Sequence, residues 1–276
     1  MKLRAVKVLC PMLIFIFLLL NLFELDSCAE AGEEGIRVPI IMYHQVKPCR
    51  SGKDSITPYE FEGDLKYLIE NDFSAVGMND LIEYVYTGKE LPEKPVILSF
   101  DDGYYNNYVY VYPLLQKYNV KIVMSIIGIS TDNFSAIPDN NVEYAHVTWD
   151  QINEMTASGL VEIQNHSYNL HKITRKRYGC KISDGEAFEH YERVLTDDIG
   201  GLQSKILEKT GSSPNTFVYP YGKYSDESDK IIKKLGFKAT LTCDYGVNVV
   251  EKDTDSLFGL KRICRSHGVP LKKLMK

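Results

Sequence analysis

Two adjacent acidic residues, Asp101 and Asp102, stand at the end of a short apolar stretch. The stretch Pro95–Phe100 begins with proline, and Gly103 follows the two carboxylates. An apolar run of this length, bounded by proline and glycine, is typical of a strand buried on both faces, as in parallel sheets covered by helices. The two carboxylates repel each other, so a buried pair requires a cation or a shared proton. An ordinary Asp-Gly hairpin turn is the alternative interpretation.

Two histidines, His166 and His171, form the second group that could do chemistry. They follow the apolar stretch 160–163 and are five residues apart. On a helix this spacing separates them by about 140°, and on a strand it places them on opposite faces, so they can share a ligand only from a loop. One carboxylate and two imidazoles from different loops make an open metal site that leaves positions for water and substrate. A purely structural histidine pair is the alternative.

Two further clusters follow predicted strands in the same way. The sequence Tyr219–Gly222 follows the stretch 216–218, and His44 follows the stretch 38–43. The carboxyl ends of parallel strands are where α/β folds place their active sites. Four such clusters are harder to explain by chance than any one of them. We therefore expect all four on the same rim of a parallel sheet.

Strand and helix patterns alternate along the chain, with no linker and no internal repeat. Thr57 and Thr148 begin capping boxes that mark two of the helices. The count of about seven or eight units predicts an α/β fold, a distorted (β/α)7-8 barrel with a mainly parallel sheet. Residues 104–118 carry both strand and helix patterns, and residues 132–145 are typical of a polar loop.

The N-terminal residues are typical of an export segment. Three basic residues precede the apolar run Val8–Phe23, which is shorter than a stable membrane span, and Leu25–Cys28 resembles a lipoprotein cleavage site. We interpret residues 1–28 as a signal peptide or membrane anchor, residues 29–37 as a tether and residues 38–276 as the folded domain. The protein is therefore expected to be extracellular or on the cell surface, with membrane contact only through its N-terminal segment.

The formal charge of -5 argues against nucleic acid as a partner, because binding to phosphates requires a basic face. Four cysteines follow residue 28, and no Cys-x-x-Cys spacing indicates a zinc–thiolate site. An exported protein can form one or two disulfides, and free buried thiols are an equal alternative. The cysteines concerned are Cys49, Cys180, Cys243 and Cys264.

Three of the motifs together resemble one enzyme family. Ser99–Gly103 matches the first motif of the polysaccharide deacetylases with NodB homology, carbohydrate esterase family four. His166–His171 matches the second motif and Tyr219–Gly222 the third, and the resemblance extends over residues 38–263. The early sequence Met42–His44 and the five-residue histidine spacing are most similar to the circularly permuted branch, the extracellular poly-N-acetylglucosamine deacetylases.

The resemblance implies a role for the residues of these motifs. It makes Asp101 the catalytic base and the backbone N–H of Tyr221 part of an oxyanion hole. It also implies one divalent ion bound by Asp102, His166 and His171. Zinc is the first expectation, and nickel, cobalt or iron also fits the ligand set. The charges agree, because a divalent cation relieves the repulsion between the aspartates, and an aspartate that does not bind the metal can accept a proton from water.

Two roles need candidates outside the matched motifs. The third motif of the family usually begins with arginine, which is absent here, and we consider Arg262 as the residue that orients Asp101. A surface ion pair is the alternative for Arg262. For the general acid that protonates the leaving amine we predict His44, because it ends a strand on the metal side, whereas His267 lies beyond the last strand. A core histidine bonded to a backbone carbonyl is the alternative for His44.

These assignments imply a monomeric, metal-dependent carbohydrate deacetylase whose partner is a polysaccharide. The expected reaction removes N-acetyl groups from an extracellular polysaccharide that contains N-acetylglucosamine, either an exopolysaccharide or peptidoglycan. A catalytically inactive module that binds cell-wall glycan and a deacetylase of O-acetylated xylan are the alternatives. An aspartyl phosphotransferase is disfavoured, because its motif is Asp-x-Asp and the histidine pair would have no role.

Overall fold

The computed structural model describes residues 35–48 and 52–275, and its centre is a closed barrel of seven parallel strands. The strands of this part of the chain, numbered in chain order, are β1 (Ile36–Val38), β2 (Ile40–Tyr43), β3 (Gln45–Val46), β4 (Ser55–Ile56), β5 (Ser74–Ala75), β6 (Pro95–Phe100), β7 (Ile122–Ile126), β8 (Val161–Asn165), β9 (Thr216–Val218), β10 (Ala239–Tyr245), β11 (Asn248–Val250) and β12 (Leu260–Cys264). The order around the barrel is β2, β12, β10, β9, β8, β7 and β6, and pairing of β2 with β6 closes it. The predicted α/β barrel is confirmed.

The residues of β6 show how the barrel sets the direction of its side chains. All six residues of the strand are buried. Leu98 and Phe100 belong to one hydrophobic cluster, whereas Ile97 belongs to another, as expected for a strand whose successive side chains point to opposite faces. Ser99 and Asp101 share the parity of Ile97. A buried strand of a parallel barrel therefore delivers Asp101 to the inner side of its carboxyl end.

Helices cover the outside of the barrel, and two of them begin at the capping boxes that the sequence predicts. Thr57 accepts a hydrogen bond from the Glu60 backbone N–H, and Thr148 accepts one from that of Gln151. A π-helical segment, Thr196–Gly200, joins two α-helices into one long helical stretch. In chain order the α-helices are α1 (Pro58–Glu70), α2 (Met78–Thr87), α3 (Tyr112–Tyr118), α4 (Gly128–Ala136), α5 (Trp149–Ala157), α6 (Phe188–Leu195), α7 (Gly201–Thr210), α8 (Asp226–Lys234) and α9 (Leu271–Leu274).

One ambiguous segment is resolved, and one prediction is corrected. Asn107–Val111 forms a π-helical turn that leads directly into α3, so residues 104–118 are mainly helical. The prediction of a polar loop from residue 132 onward is wrong at its start, because α4 extends to Ala136. Asp132 lies inside this helix and accepts a hydrogen bond of 2.9 Å from Trp149 Nε1. Tertiary contacts of this kind stabilise a helix that its own polar sequence does not indicate.

The predicted export segment, residues 1–28, lies outside the described residues, as does the tether up to residue 34. The end of the tether forms β1, which pairs antiparallel with β11. Within residues 35–48 and 52–275, no helix combines the length and the apolar character needed to cross a membrane. Cys49 also lies outside the described residues, and the cysteines that are described are free thiols: Cys180, Cys243 and Cys264.

Candidate active site

Asp101 is an ionised carboxylate buried at the carboxyl end of β6. Its Oδ1 accepts hydrogen bonds from Arg262 Nη1 at 2.7 Å and from Ser125 Oγ at 3.1 Å. Burial by itself raises the pKa of Asp101, but the positive charges of Arg262 and His166 outweigh that effect and hold the pKa below its ordinary value. The other oxygen, Oδ2, lies 4.0 Å from His44 Nε2. One oxygen is therefore engaged by fixed donors, and the other faces a histidine across a wider gap.

Arg262 lies on β12, inside the barrel, and is 1% exposed. Its Nε donates to the Thr242 carbonyl at 2.7 Å, and its Nη1 also donates to Ser99 Oγ at 3.0 Å. These bonds fix the plane of the guanidinium beside Asp101. The alternative of a surface ion pair for Arg262 is therefore wrong, because its ion pair with Asp101 is buried.

Asp102, His166 and His171 lie together, as the resemblance implies. Asp102 Oδ1 is 3.4 Å from His166 Nε2 and 3.2 Å from His171 Nε2, and the three potential ligand atoms lie within 4.8 Å of one another. Asp102 has a left-handed backbone with φ of 71°, which sends its side chain in a different direction from that of Asp101. Its Oδ1 is buried and accepts no hydrogen bond from the described residues. Two neighbouring aspartates thus have separate sets of partners.

The hydrogen bonds of His166 show that this set fits a cation. His166 Nδ1 lies 2.7 Å from the Val218 carbonyl, which can only accept, so Nδ1 carries a proton. A neutral His166 then directs the lone pair of Nε2 at the carboxylate of Asp102, and two facing acceptors need a cation or an extra proton between them. Burial lowers the pKa of His166, but Asp102 and Asp101 outweigh it and raise the pKa. The position between these three side chains therefore favours positive charge. A carboxylate oxygen and two imidazole nitrogens are ligands that bind divalent transition metals.

A tightly held loop carries the two histidines, as their spacing predicts. It begins after β8, and Ser167 within it has a left-handed φ of 71°. The carboxylate of Asp198 accepts the backbone N–H groups of Tyr168 and Asn169, each at 2.8 Å. Burial and the neighbouring His166 lower the pKa of His171 to about 4, so its ring is neutral at pH 7 and can act as a ligand.

The two candidates for the general acid lie in different surroundings. His44 follows β2, its side chain is 25% exposed, and its Nδ1 has no hydrogen-bond partner among the described residues. His267 lies after β12, where its Nδ1 is 2.8 Å from the carboxylate of Glu60 in α1. His44 lines the cavity that contains the two aspartates, whereas His267 is not among the residues that line it.

Tyr221 forms one wall of this cavity, which has a volume of about 510 Å³. The residue has a left-handed φ of 58° within the turn Pro220–Gly222, and its ring centroid lies 4.3 Å from that of His171. The predicted residues that line the cavity are His44, Asp101, Asp102, His166, His171 and Tyr221. Arg262 contacts Asp101 beneath them. The structure thus brings all seven candidate site residues to the expected rim.

Sequence reasoning missed His146 and Tyr104. His146 Nδ1 donates to the backbone carbonyl of Asp102 at 2.8 Å, and the His146 ring stacks on Tyr104 with centroids 4.8 Å apart. Val147 N–H donates to the Gly103 carbonyl at 2.9 Å, so the segment with His146 holds the turn after β6. Tyr104 lines the cavity, and burial and Asp102 raise its pKa to about 12. No motif marks His146, because it follows a segment whose sequence indicates only a polar loop.

A barrel cavity that joins a cation-binding set to a separate ionised aspartate has the groups of a hydrolytic active site. The family model described as polysaccharide deacetylase matches residues 88–240, which is more than half of the chain. The chain therefore belongs to the polysaccharide deacetylase family. This confirms the resemblance found in the sequence and the predicted enzyme class, carbohydrate deacetylase.

Three proteins illustrate what this chain is similar to. The poly-beta-1,6-N-acetyl-D-glucosamine N-deacetylase of Escherichia coli K12 is 29% identical over 203 residues, which cover 66% of this chain and 30% of that protein. The chain thus spans about a third of the length of this curated relative. A solved de-N-acetylase from Aggregatibacter actinomycetemcomitans is 26% identical, with a TM-score of 0.70 over 82% of this chain and 94% of that one. The Streptococcus pyogenes deacetylase PplD in complex with acetate has the same fold, with 21% identity and a TM-score of 0.71 over 87% of this chain and 97% of that one.

Proposed function

We propose that this protein is a metal-dependent hydrolase that removes N-acetyl groups from an extracellular polysaccharide containing N-acetylglucosamine. The observation that carries the proposal is the division of work between two neighbouring carboxylates. Asp101 is fixed by Arg262 and faces His44, whereas Asp102 faces two imidazole nitrogens. An amide hydrolase needs a base, an acid and a source of positive charge near the carbonyl, and these partner sets supply all three.

Asp102, His166 and His171 would hold one divalent ion, with zinc as the first candidate and nickel, cobalt or iron as the others. When bound, such an ion supplies positive charge that polarises a carbonyl oxygen and makes a water molecule more acidic. His166 is the best prepared of the three, because its bond to the Val218 carbonyl fixes the tautomer in which Nε2 is free to bind. The buried oxygen of Asp102 supports the same assignment.

Asp101 and His44 would carry the proton transfers. Asp101 Oδ2 accepts a proton from the attacking water, whose oxygen forms a bond to the carbonyl carbon, while Arg262 holds the other carboxylate oxygen. His44 Nε2 then donates a proton to the amide nitrogen as the carbon–nitrogen bond breaks, so that acetate and an amine leave. Amide cleavage requires this donor, because an unprotonated amine anion leaves far too slowly.

Tyr221 would stabilise the negative charge that develops on the carbonyl oxygen. Its backbone N–H is the proposed donor, and the support is its position beside His171 in a left-handed turn. The next two backbone N–H groups, of Gly222 and Lys223, are used inside that turn, on the carbonyls of Tyr219 and Pro220.

For the substrate, poly-N-acetylglucosamine is the first candidate and peptidoglycan the second. The support for the first is the name of the Escherichia coli relative, an N-deacetylase of poly-beta-1,6-N-acetyl-D-glucosamine. We assign the enzyme to the outside of the cytoplasmic membrane, because its first residues are typical of an export segment. A monomer stays the predicted oligomeric state.

Acetate release tests this function. The protein is supplied with zinc and given poly-N-acetylglucosamine, peptidoglycan, chitooligosaccharide and acetylxylan in parallel, and the N-acetylated polysaccharides should release acetate. Elemental analysis should find about one divalent ion per chain, and His171→Ala should lose most of it. Glycan binding without acetate release, with the metal restored, would favour the inactive glycan-binding module. Full retention of metal by His171→Ala would refute the metal assignment.

A further inference from the structure

A second cavity of about 860 Å³ lies on the segment that follows the metal-site histidines. We call it the basic groove. Four cationic side chains line it, on residues 175, 176, 177 and 181, against two acidic side chains, those of Asp184 and Glu186. The whole chain has a formal charge of -5, so this local excess of positive charge is opposite in sign to that of the protein.

Most of the positive charge in the basic groove is not neutralised by the protein. Arg177 forms an ion pair with Glu186, which also lies 2.7 Å from His190. Arg175, Lys176 and Lys181 are exposed, and no ion pair joins them to the described residues. Of the acidic residues in the lining, only Asp184 is left to balance three cations. An exposed cluster of this kind attracts anions, and more strongly at low salt.

The basic groove is attached to the proposed active site. Tyr178, in its lining, has its ring centroid 5.3 Å from that of Tyr221, which contacts His171. Gly179 has a φ of 58°, and a Cβ there would lie 2.7 Å from the carbonyl oxygen of Pro220. The next residue donates its backbone N–H to the Lys223 carbonyl at 3.0 Å. The backbone of this segment therefore packs directly against the turn of Tyr221, and the two cavities share a wall of two tyrosines.

The inference rests on the proposed function in taking a polysaccharide as the ligand. A polymer chain bound with one sugar in the cavity of Asp101 must continue past one of its walls. The wall of Tyr178 and Tyr221 leads to the basic groove. A neutral sugar has no negative charge that could pair with the three unpaired cations there. We propose that the basic groove binds anionic groups, carboxylate or phosphate, carried by the polysaccharide on this side of the cleft. The enzyme then prefers acetylated glycans that carry negative charge a few sugars away from the reacting residue, so this inference favours peptidoglycan, the second candidate substrate, over neutral poly-N-acetylglucosamine, the first.

Binding of charged and neutral oligosaccharides tests this proposal. Three hexamers are titrated. One is the neutral hexamer of N-acetylglucosamine, one alternates N-acetylglucosamine with N-acetylmuramic acid and so carries carboxylates, and one is a phosphorylated hexamer of N-acetylglucosamine. The full chain carrying Asp101→Asn is used, so that no hexamer is hydrolysed. At low salt, at least one anionic hexamer should bind more tightly than the neutral one. Raising the salt from about 0.1 M to about 1 M shortens the Debye length from about 10 Å to about 3 Å and should remove most of this preference.

Charge reversal separates the groove from the charge of the whole protein. Arg175→Glu with Lys176→Glu should reduce the ratio of anionic to neutral affinity about tenfold, since reversal replaces two attractive contacts by two repulsive ones. Lys272→Glu with Lys273→Glu is the matched control, because these adjacent lysines are also exposed and lie on α9. This control makes the same change in net charge and should leave the ratio unchanged.

Several results would overturn the proposal. One is equal binding of all three hexamers by the Asp101→Asn chain, and another is an equal loss of preference in both double variants. A preference for only the carboxylated or only the phosphorylated hexamer supports the proposal and identifies the source of the anion. Acetate release from the neutral hexamer by the unmodified protein is measured separately. If acetate is released and the anionic hexamers bind no more tightly than the neutral one, this inference fails while the proposed function stands. If the anionic hexamers bind more tightly and no acetate is released, only the proposed function is rejected.

Discussion

The two candidates for the general acid, His44 and His267, each face a carboxylate, and the closer of these two pairs is not the one in the cavity. His267 Nδ1 lies 2.8 Å from Glu60 Oε2, whereas His44 Nε2 lies 4.0 Å from Asp101 Oδ2. Glu60 also accepts the backbone N–H groups of Thr57 at 2.9 Å and of residue 268 at 2.8 Å. Its bonding capacity is used to cap α1 and to attach the C-terminal segment to that helix. The short distance between His267 and Glu60 therefore reflects a structural role.

The pair at the cavity is arranged in the opposite way. Arg262 and Ser125 both donate to Oδ1 of Asp101, and among the described residues His44 is the nearest donor to the other oxygen, Oδ2. His44 keeps its Nδ1 without a partner among the described residues. A base and an acid that must act on a substrate need free bonding capacity, because the substrate has to fit between them. Unused bonding capacity beside a fixed carboxylate therefore indicates function better than a short distance does.

Replacement of Asp101 by asparagine tests the cavity pair most severely. Asp101→Asn removes the proposed base and keeps the size of the side chain, so acetate release should fall by about 10²- to 10⁴-fold. The bound metal, measured by elemental analysis, should stay near the wild-type amount, because Asp102 and the two histidines remain. An equal loss of metal would show that the two aspartates have exchanged roles.

The two histidines are compared directly by alanine substitution. His44→Ala should retain metal and fold and lose about 10²-fold or more in rate, because the leaving amine loses its proton donor. His267→Ala should keep full activity and lose only about 0.5–1 kcal/mol of unfolding free energy, the usual size of a partly exposed ion pair. Rates, metal content and circular dichroism are measured for both variants. The reverse pattern would place the general acid at the C-terminal end.

A third histidine, His146, bonds to the backbone of Asp102, which is a proposed metal ligand. His146→Ala removes the hydrogen bond to the Asp102 carbonyl and the ring that stacks on Tyr104. We expect about tenfold weaker binding of zinc, measured by competition with a chelator, in line with the loss of other supporting bonds around metal ligands. His146→Asn, which can also donate, should recover part of this affinity. Unchanged zinc affinity in the alanine variant would contradict a positioning role.

The smallest effect is expected at Glu60, and it depends on pH. Burial raises the pKa of Glu60, but the backbone donors of Gly268 and Thr57 together with His267 lower it to about 2. Because the folded pKa is below the ordinary value of 4.5, the carboxylate stabilises the fold above pH 4.5, and this contribution is lost as the pH falls towards 2.

Glu60→Gln should therefore cost about 1 kcal/mol at pH 7, as other losses of helix caps do. Between about pH 4.5 and about pH 2, the melting temperature of the wild type should fall more than that of the variant, because only the wild type takes up this proton. Thermal unfolding at several pH values measures the difference. Parallel curves for the two proteins would show that Glu60 has no lowered pKa in the folded state.

Much of the fold and the positions of the site could be predicted from the sequence, because both depend on local patterns. The apolar run closed by Asp101, Asp102 and Gly103 predicts a buried strand end, and the fold places one there. The spacing of His166 and His171 requires a loop, and a loop is what carries them. Alternating strands and helices then place the strand ends on one rim, since parallel connections return each strand in the same direction.

Local patterns were insufficient where distant contacts decide the structure. Residues 104–118 contain β-branched and aromatic residues that suit a strand, yet they are mainly helical in the fold. Asp132 was expected in a loop, and its bond to Trp149 across the gap between α4 and α5 stabilises a helix instead. Propensity is a weak prior, and packing overrides it.

The sequence by itself determined which residue types reach the rim of the barrel: two carboxylates, two histidines five apart, a tyrosine turn and His44. Which of them could act as base, metal ligand or general acid depends on the contacts that the tertiary structure gives each one. Asp101 is paired with Arg262 from a strand more than 150 residues later, a contact that no local pattern contains. Asp102 has a left-handed φ and its carbonyl accepts a bond from His146, whereas the capacity of Glu60 is taken up by its own helix cap and the C-terminal segment. Such distinctions depend on which donors surround each carboxylate in space, and only the folded chain brings donors from distant segments together.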